Sequence, residues 1–245
     1  MLTRIRLRPA IDLARQDLPA PLDVINLVHT ERFASYRWYA LLVYPAMTLV
    51  GARALWMGRL ERSLHGEVQA DKLLVVRYPS QRRFLAMTLN PYYLAINRLR
   101  EAGVRRFQAS FTHASHTAEG FGRRRLLVAV HFSSPPGEDA LPAVTELLSP
   151  VAGELVYATR AVASLGFLDP PVPTDPEPLA LRQLALFAAP DGDLPEAQLT
   201  ALSGPLAAIT DGVALQVYRR EPASAYRPSF RRAPRAAAAP ATAGS

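Results

Sequence analysis

Short apolar runs alternate along the chain with longer segments of helical periodicity. The run Val-Ile-Asn-Leu-Val-His at 24–29 predicts a strand, and the aromatic-rich segment 31–50 predicts a helix that ends at Gly51. Further elements follow in the first half: helical segments at 81–89 and 92–101, and strands at 52–60, 72–78 and 106–113. The order is strand, helix, strand, strand, helix, strand, which is that of a ferredoxin-like unit.

The same order recurs in the second half of the chain. A strand is predicted over 125–132, beginning 101 residues after the first strand. It is followed by helices at 138–149 and 194–208 and by strands at 153–160, 181–188 and 212–218. One such unit leaves a face of its sheet bare, and two units in one chain can bury those faces against each other. We therefore expect an internal pseudo-dimer, and the alternative is two unrelated α+β halves with similar spacing.

Changes in composition set the expected boundaries. The chain divides into an N-terminal extension at 1–22, a first ferredoxin-like unit at 23–113, a linker at 114–124, a second ferredoxin-like unit at 125–220 and a disordered basic tail at 221–245. An insertion at 166–178 holds five prolines, which excludes regular structure there.

The charge of the chain is unevenly distributed. The 245 residues carry a net charge of +7, with +9 on residues 1–118, −7 on residues 119–218 and +5 on the remainder. Opposite charges on the two halves favour their docking. All basic residues except Lys72 are arginines, which we interpret as coding bias, so no specific nucleic-acid partner is predicted.

Several classes of protein are excluded by composition. The chain has no cysteine, which excludes disulfides, thiolate metal sites and a cysteine nucleophile, and no metal site is predicted. The longest apolar run, 40–52, is too short to span a membrane, and no signal peptide is visible. A cytoplasmic protein is expected. No phosphate loop, dinucleotide fingerprint or nucleophile elbow is present.

One stretch of the first half has a distinctive sequence. It runs from Arg77-Tyr78-Pro79-Ser80 through Phe84-Leu85 and Met87 to Asn90-Pro91-Tyr92-Tyr93. Through these residues, segment 23–113 resembles the dimeric α/β-barrel superfamily, and within it a branch of domain-of-unknown-function proteins. The resemblance implies an α+β fold in which two tandem ferredoxin-like βαββαβ units form an intrachain pseudo-dimeric α/β barrel.

The resemblance also implies a ligand pocket, but no single reaction. The superfamily includes cofactor-free monooxygenases, haem-degrading and haem-peroxidase enzymes, lactone isomerases and stress-induced proteins without a known reaction. A shared fold therefore leaves the function open. The chain also departs from its branch, because Asn97-Arg98 stands where a His-Arg pair is usual.

Polar residues that interrupt apolar strands are the candidate ligand-binding groups, and the catalytic residues are unknown. The candidates are Asn26, His29, Arg53, Trp56, Arg77 and His131. A buried amide such as that of Asn26 must be hydrogen-bonded, either to a ligand or to a neighbouring strand. His29 and His131 end the first strand of each half and could serve proton transfer or haem ligation, or lie at the surface. Alternation on 52–59 places either the arginines or Trp56 on the inner face.

Three hypotheses of function follow. The first is a protein that binds or transforms a small hydrophobic metabolite in a cavity between the two sheets, as a cofactor-free oxygenase or isomerase would. The second is a non-enzymatic interaction or structural protein with a dry interface between the sheets. The third is a haem-binding protein. Whether the chain is an enzyme, and whether it forms a homodimer, is not decided by the sequence.

Overall fold

The computed structural model describes residues 7–66, 68, 70–135, 137–164, 183–189 and 194–226. The strands are β1 (Leu22–Thr30), β2 (Arg53–His65), β3 (Lys72–Tyr78), β4 (Val104–Thr117), β5 (Leu126–Phe132), β6 (Glu154–Ser164), β7 (Gln183–Ala188) and β8 (Val213–Arg220). The helices are α1 (Leu7–Arg15), α2 (Phe33–Leu49), α3 (Gln81–Thr88), α4 (Pro91–Gly103), α5 (Leu141–Ala152), α6 (Glu196–Ala201) and α7 (Ser203–Ile209).

The eight strands form one closed antiparallel barrel, in the order β1-β3-β2-β8-β5-β7-β6-β4 and back to β1. The predicted α+β class is confirmed. Strands of the first half are contiguous in the ring, as are those of the second half. The halves join at both edges, where β2 pairs with β8 and β4 pairs with β6. The ring therefore leaves no free strand edge.

The interior of the barrel is filled by side chains. Inward residues alternate along the strands, as Ile25 and Leu27 do on β1, and are nearly inaccessible to solvent. The residues of this interior cluster that are 4% exposed or less are Ile25, Leu27, Trp56, Ala70, Leu73, Val75, Phe121, Leu127, Ala129, Val156, Tyr157, Leu184, Leu186 and Tyr218. An eight-stranded barrel is just wide enough to be filled by its own side chains or to hold one small ligand. Here the side chains of the cluster occupy the space in which a ligand cavity between the two sheets is expected from the sequence.

The predicted linker contributes to this interior. Strand β4 extends to Thr117, beyond the expected boundary at 113, and a 3-10 turn follows at Phe121–Arg123. Phe121 is 3% exposed and stacks on Tyr157 at 4.8 Å between ring centroids. The polar and glycine-rich composition of 114–124 indicated a loop and gave no sign of this buried ring.

Both ends of the described chain pack on the first half. Ala10 and Leu13 of α1 are buried against the core beneath α2, α3 and α4. The chain after β8 continues into a 3-10 turn at Ala223–Tyr226, within the segment expected to be a disordered tail. Residues 227–245 and the insertion 166–178 lie outside the described residues. Among the helices that are described, none is long and apolar enough to cross a membrane.

Candidate ligand cavity

A cavity of about 580 Å³ lies between α2 and the outer face of the first-half strands. It is thus on the opposite side of the sheet from the barrel interior. The side chains that surround it are mostly apolar or tyrosine: Asn26, Val28, Tyr36, Tyr39, Ala40, Leu41, Val43, Tyr44, Pro45, Met47, Ala54, Met57, Leu74, Val76, Tyr78, Phe84, Met87, Tyr93, Arg100, Phe107 and Tyr226.

Sequence periodicity explains how these side chains meet. Residues 26 and 28 of β1 and residues 74, 76 and 78 of β3 alternate with the inward residues and therefore face outward, toward α2. Helix α2 contributes Tyr36, Tyr39, Ala40, Val43 and Met47, whose three- and four-residue spacing places them on one helix face. The cavity is therefore built between a sheet face and a helix face that do not fill the space between them.

The cavity reaches solvent alongside α2. Tyr44 is 65% exposed and Ala54 of β2 is also exposed, although both line the cavity. In the second half, helix α5 packs closely on β5: Val144 and Leu148 of α5 and Val128 of β5 are all 0% exposed.

A β-bulge decides which side of β2 faces the cavity. The register between β2 and β3 shifts between Ala54 and Trp56, so strict alternation fails there. Ala54 and Met57 face the cavity, whereas Trp56 is 2% exposed inside the barrel, where its Nε1 donates a hydrogen bond to the carbonyl of Arg124 at 3.0 Å. Strict alternation predicts two sets of residues on opposite faces of β2, and because of the bulge neither set lies together on one face.

Hydroxyl and amide groups supply most of the polarity of the cavity. The Asn26 side-chain nitrogen donates to the carbonyl of Val24 on its own strand, at 3.1 Å. The hydroxyls of Tyr39 and Tyr93 share a hydrogen bond of 3.3 Å. The Tyr78 hydroxyl donates to the sulfur of Met87 at 3.8 Å. These groups can orient a polar atom of a ligand while most of its surface contacts apolar walls.

Burial keeps three of the cavity tyrosines neutral. Burial, the largest effect, raises the pKa of Tyr36, Tyr39 and Tyr78 well above the usual value, and nearby ionisable groups shift it by smaller amounts. A neutral phenol donates a hydrogen bond but does not act as a base at neutral pH. Among the described residues that line the cavity, none is His, Asp or Glu.

The segment after β8 forms one wall of the cavity. Tyr226 is 5% exposed and packs edge-on against Tyr36, with ring centroids 6.4 Å apart. Its hydroxyl donates to Glu221, whose two carboxylate oxygens each accept a hydrogen bond of 2.8 Å from the ammonium of Lys72. The Lys72 ammonium also lies 4.9 Å from the centroid of the Phe33 ring. The final turn of the described chain is thus fastened to the first half.

Arg100 of α4 is the cationic residue of the described lining. Its side chain is buried, and its guanidinium carbon lies 4.3 Å from the centroid of the Phe107 ring. Its position in the sequence does not indicate a site, because an arginine near the end of a helix is ordinarily a solvated residue that complements the helix dipole. Only the fold, which brings α4 beside α2 and β4, shows that it is enclosed.

The structure does not bring the six predicted site residues together. Asn26 alone lines the cavity. Arg53 is exposed. Arg77 forms a bidentate ion pair with Asp23, at 2.7 and 2.9 Å, and this hydrogen bonding raises the pKa of Arg77. Asp23 also accepts a hydrogen bond of 2.8 Å from Tyr157 across the barrel, so Arg77 has a structural partner where a ligand was expected.

The two strand-end histidines differ in their surroundings. His29 is half-buried at the end of β1, outside the cavity lining. His131 is 1% exposed inside the barrel, opposite Ala214 and Leu184 on the neighbouring strands. The close packing of these strands around the His131 ring does not favour the haem alternative at this residue.

Comparison with known proteins finds a family model that matches part of the chain. Residues 24–113 match the family model "Domain of unknown function (DUF1330)". This confirms the resemblance of 23–113 to a domain-of-unknown-function branch. None of the curated proteins matches the chain. The DUF1330 segment spans β1 to β4 with their helices, and so contains most of the cavity lining but not Tyr226.

Several solved structures are similar to the chain. A protein of unknown function from Rhodopseudomonas palustris is 21% identical, with a TM-score of 0.41 over 45% of this chain and 93% of its own. A Fusobacterium nucleatum protein with a provisional monooxygenase name is 10% identical, with a TM-score of 0.49 over 82% and 91%. An anthrone oxidase-like protein is 13% identical, with a TM-score of 0.47 over 83% and 92%.

Proposed function

We propose that the protein binds a small hydrophobic molecule in the cavity between α2 and the outer face of the first-half strands. The observation that carries the proposal is the cavity itself, which is about 580 Å³ in volume, reaches solvent beside Tyr44 and has predominantly apolar walls. Pockets of this size and composition are typical of sites for small organic ligands. The filled barrel interior serves as the rigid support of one cavity wall.

We also propose that the barrel is a fusion of two ferredoxin-like units, an intrachain form of a dimeric α/β barrel. The strand order β4-β1-β3-β2 in the first half and β8-β5-β7-β6 in the second supports this, since corresponding strands occupy corresponding places. At both junctions the second strand of one half pairs with the last strand of the other, β2 with β8 and β6 with β4. Pairing of the whole chain with a second copy stays a prediction.

The lining favours binding over proton-transfer chemistry. An oxygenase or isomerase without a cofactor needs a base that removes a proton from its substrate. The described lining offers neutral tyrosines, an amide and a guanidinium, and none of these is a base at neutral pH. We therefore assign ligand binding to the cavity, and not the oxygenase- or isomerase-like reaction that the family resemblance implies.

The test uses the fluorescent neutral probe N-phenyl-1-naphthylamine and two matched variants of α2. Ala40 lines the cavity and Ala34 is exposed on the same helix away from it. Ala40→Phe should weaken probe binding by about tenfold or more, because the ring occupies the cavity, and Ala34→Phe should leave it unchanged. Absence of binding to the wild-type protein, or equal affinities of the two variants, would contradict the proposal.

One part of the dry-interface hypothesis fits the packed barrel interior. The interior between the halves is filled, as that hypothesis expected. The cavity on the other face of the sheet nevertheless gives the protein a place for a ligand. If the cavity binds no ligand, Ala40→Phe and Ala34→Phe should both give the same N-phenyl-1-naphthylamine signal as the wild type.

A further inference from the structure

The environment of Arg100 is unusual for a cation. The residue is 6% exposed, yet among the described residues it has no ion-pair partner, and its Nη1 has no hydrogen-bond partner. One face of the guanidinium is covered by Phe107. The side chain lines the cavity beside the α2 tyrosines.

An unpaired buried guanidinium is costly. Arginine keeps its proton at any physiological pH, so the group cannot become neutral as a lysine or histidine would. Buried charges in proteins are therefore normally paired, and their unpaired donors carry a desolvation penalty. Stacking on an aromatic face offsets part of that penalty, but it does not supply an acceptor for the in-plane donors of Nη1. The described cavity lining contains no carboxylate that could pair with them.

Arg100 shares the cavity lining with the hydroxyl-bearing side chains of Tyr36 and Tyr39. Burial raises the pKa of both tyrosines, and the positive charge of Arg100 opposes that shift. The cavity lining thus combines one guanidinium with two neutral phenols. An anionic oxygen placed there would accept charge-assisted hydrogen bonds from Arg100 and neutral ones from a phenol.

We propose that the ligand of this cavity is a hydrophobic molecule with one anionic oxygen group, a carboxylate, sulfonate or phenolate, which pairs with Arg100. The apolar body of the ligand lies against Val76, Met57 and the α2 side chains. This inference rests on the proposed binding function and adds the chemical class of the ligand to it.

The experiment compares two fluorescent probes that share an anilinonaphthalene body. One is N-phenyl-1-naphthylamine, and the other is 8-anilinonaphthalene-1-sulfonate, which adds a sulfonate. Their affinities are measured for the wild type, for Arg100→Met and for Arg98→Met, which removes an exposed arginine from the same helix. Ala40→Phe reports whether the sulfonate probe occupies the cavity or an arginine-rich surface.

Arg100→Met should weaken binding of the sulfonate by about tenfold or more, since a charge-assisted contact is lost. It should change binding of the neutral probe by less than about twofold, and Arg98→Met should affect neither probe. Arg100→Lys, which keeps the positive charge but lacks the planar guanidinium with its paired donors, should retain part of the affinity for the sulfonate probe. If Arg100→Met does not fold, Arg100→Lys and Arg100→Gln supply the same comparison.

Equal losses in Arg100→Met and Arg98→Met, or sulfonate binding that Ala40→Phe leaves intact, would overturn the pairing with Arg100. Binding of the neutral probe that Ala40→Phe abolishes would at the same time uphold the proposed function. Failure of both probes to bind the wild-type protein would overturn both proposals. The two failures are therefore distinguishable.

Discussion

Burial of His131 inside the barrel makes the stability of the protein depend on pH. The side chain alternates with Leu127 and Ala129, which belong to the interior cluster, and is 1% exposed. Among the described residues neither ring nitrogen has a hydrogen-bond partner. Burial lowers the pKa of His131 from 6.5 to about 4. A charged imidazolium would have neither water nor an anion beside it.

The sign and size of the effect follow from linkage. The folded pKa lies below the unfolded one, so between these values the unfolded chain binds the extra proton. The contribution of the neutral His131 to stability is therefore fully present above pH 6.5 and is lost as the pH falls toward 4. One pKa unit corresponds to about 1.4 kcal/mol, so the loss attributable to His131 between pH 7.5 and pH 5 is about 2 kcal/mol.

The assay is urea unfolding of the wild type, His131→Leu and the control His65→Leu, whose residue is exposed on β2. Carboxylates also titrate toward pH 5, so the quantity of interest is the difference between each variant and the wild type. His131→Leu should become more stable relative to the wild type by about 2 kcal/mol between pH 7.5 and 5. His65→Leu should not. Parallel pH profiles for the wild type and His131→Leu would refute the reasoning.

Two further predictions concern the barrel interior. Gly58→Ala should destabilise the protein by about 1–3 kcal/mol, because a Cβ there would lie 2.2 Å from the Trp56 ring and 2.7 Å from a backbone carbonyl oxygen of β8. Gly204→Ala is the control, because a Cβ at that position meets no atom within 4 Å. Equal free energies of unfolding for the two variants would contradict the tight packing at Gly58. Asp23→Ala should cost about 1–3 kcal/mol in urea unfolding, since it leaves the buried Tyr157 hydroxyl without its acceptor and Arg77 without its ion-pair partner. Glu154→Ala at an exposed ion pair should cost less than about 1 kcal/mol. Similar losses in both would contradict the buried role of Asp23.

The order of the elements could be predicted because it depends on local periodicity. Strand β3 has its predicted bounds, and most of the other predicted elements differ from theirs by a few residues at their ends. The single helix predicted over 194–208 is instead two helices, α6 and α7. These are features that each segment carries within itself, so no knowledge of its neighbours is needed.

The site could not be predicted because it depends on contacts between distant segments. The bulge in β2 moves Trp56 to the interior, and no residue in 53–57 signals it. Arg100 is enclosed only because α4 packs beside α2, and Tyr226 reaches the cavity only through its contacts with Lys72 and Glu221. Asn26 was found because an amide in an apolar strand is visible in the sequence itself.

The location of the ligand is the central claim, and a crystal structure of the protein with bound 8-anilinonaphthalene-1-sulfonate tests it most directly. We predict electron density for the naphthalene between α2 and the outer face of β1 and β3, with the sulfonate within hydrogen-bonding distance of Arg100. Density inside the barrel, or only on the exposed arginines, would contradict the account.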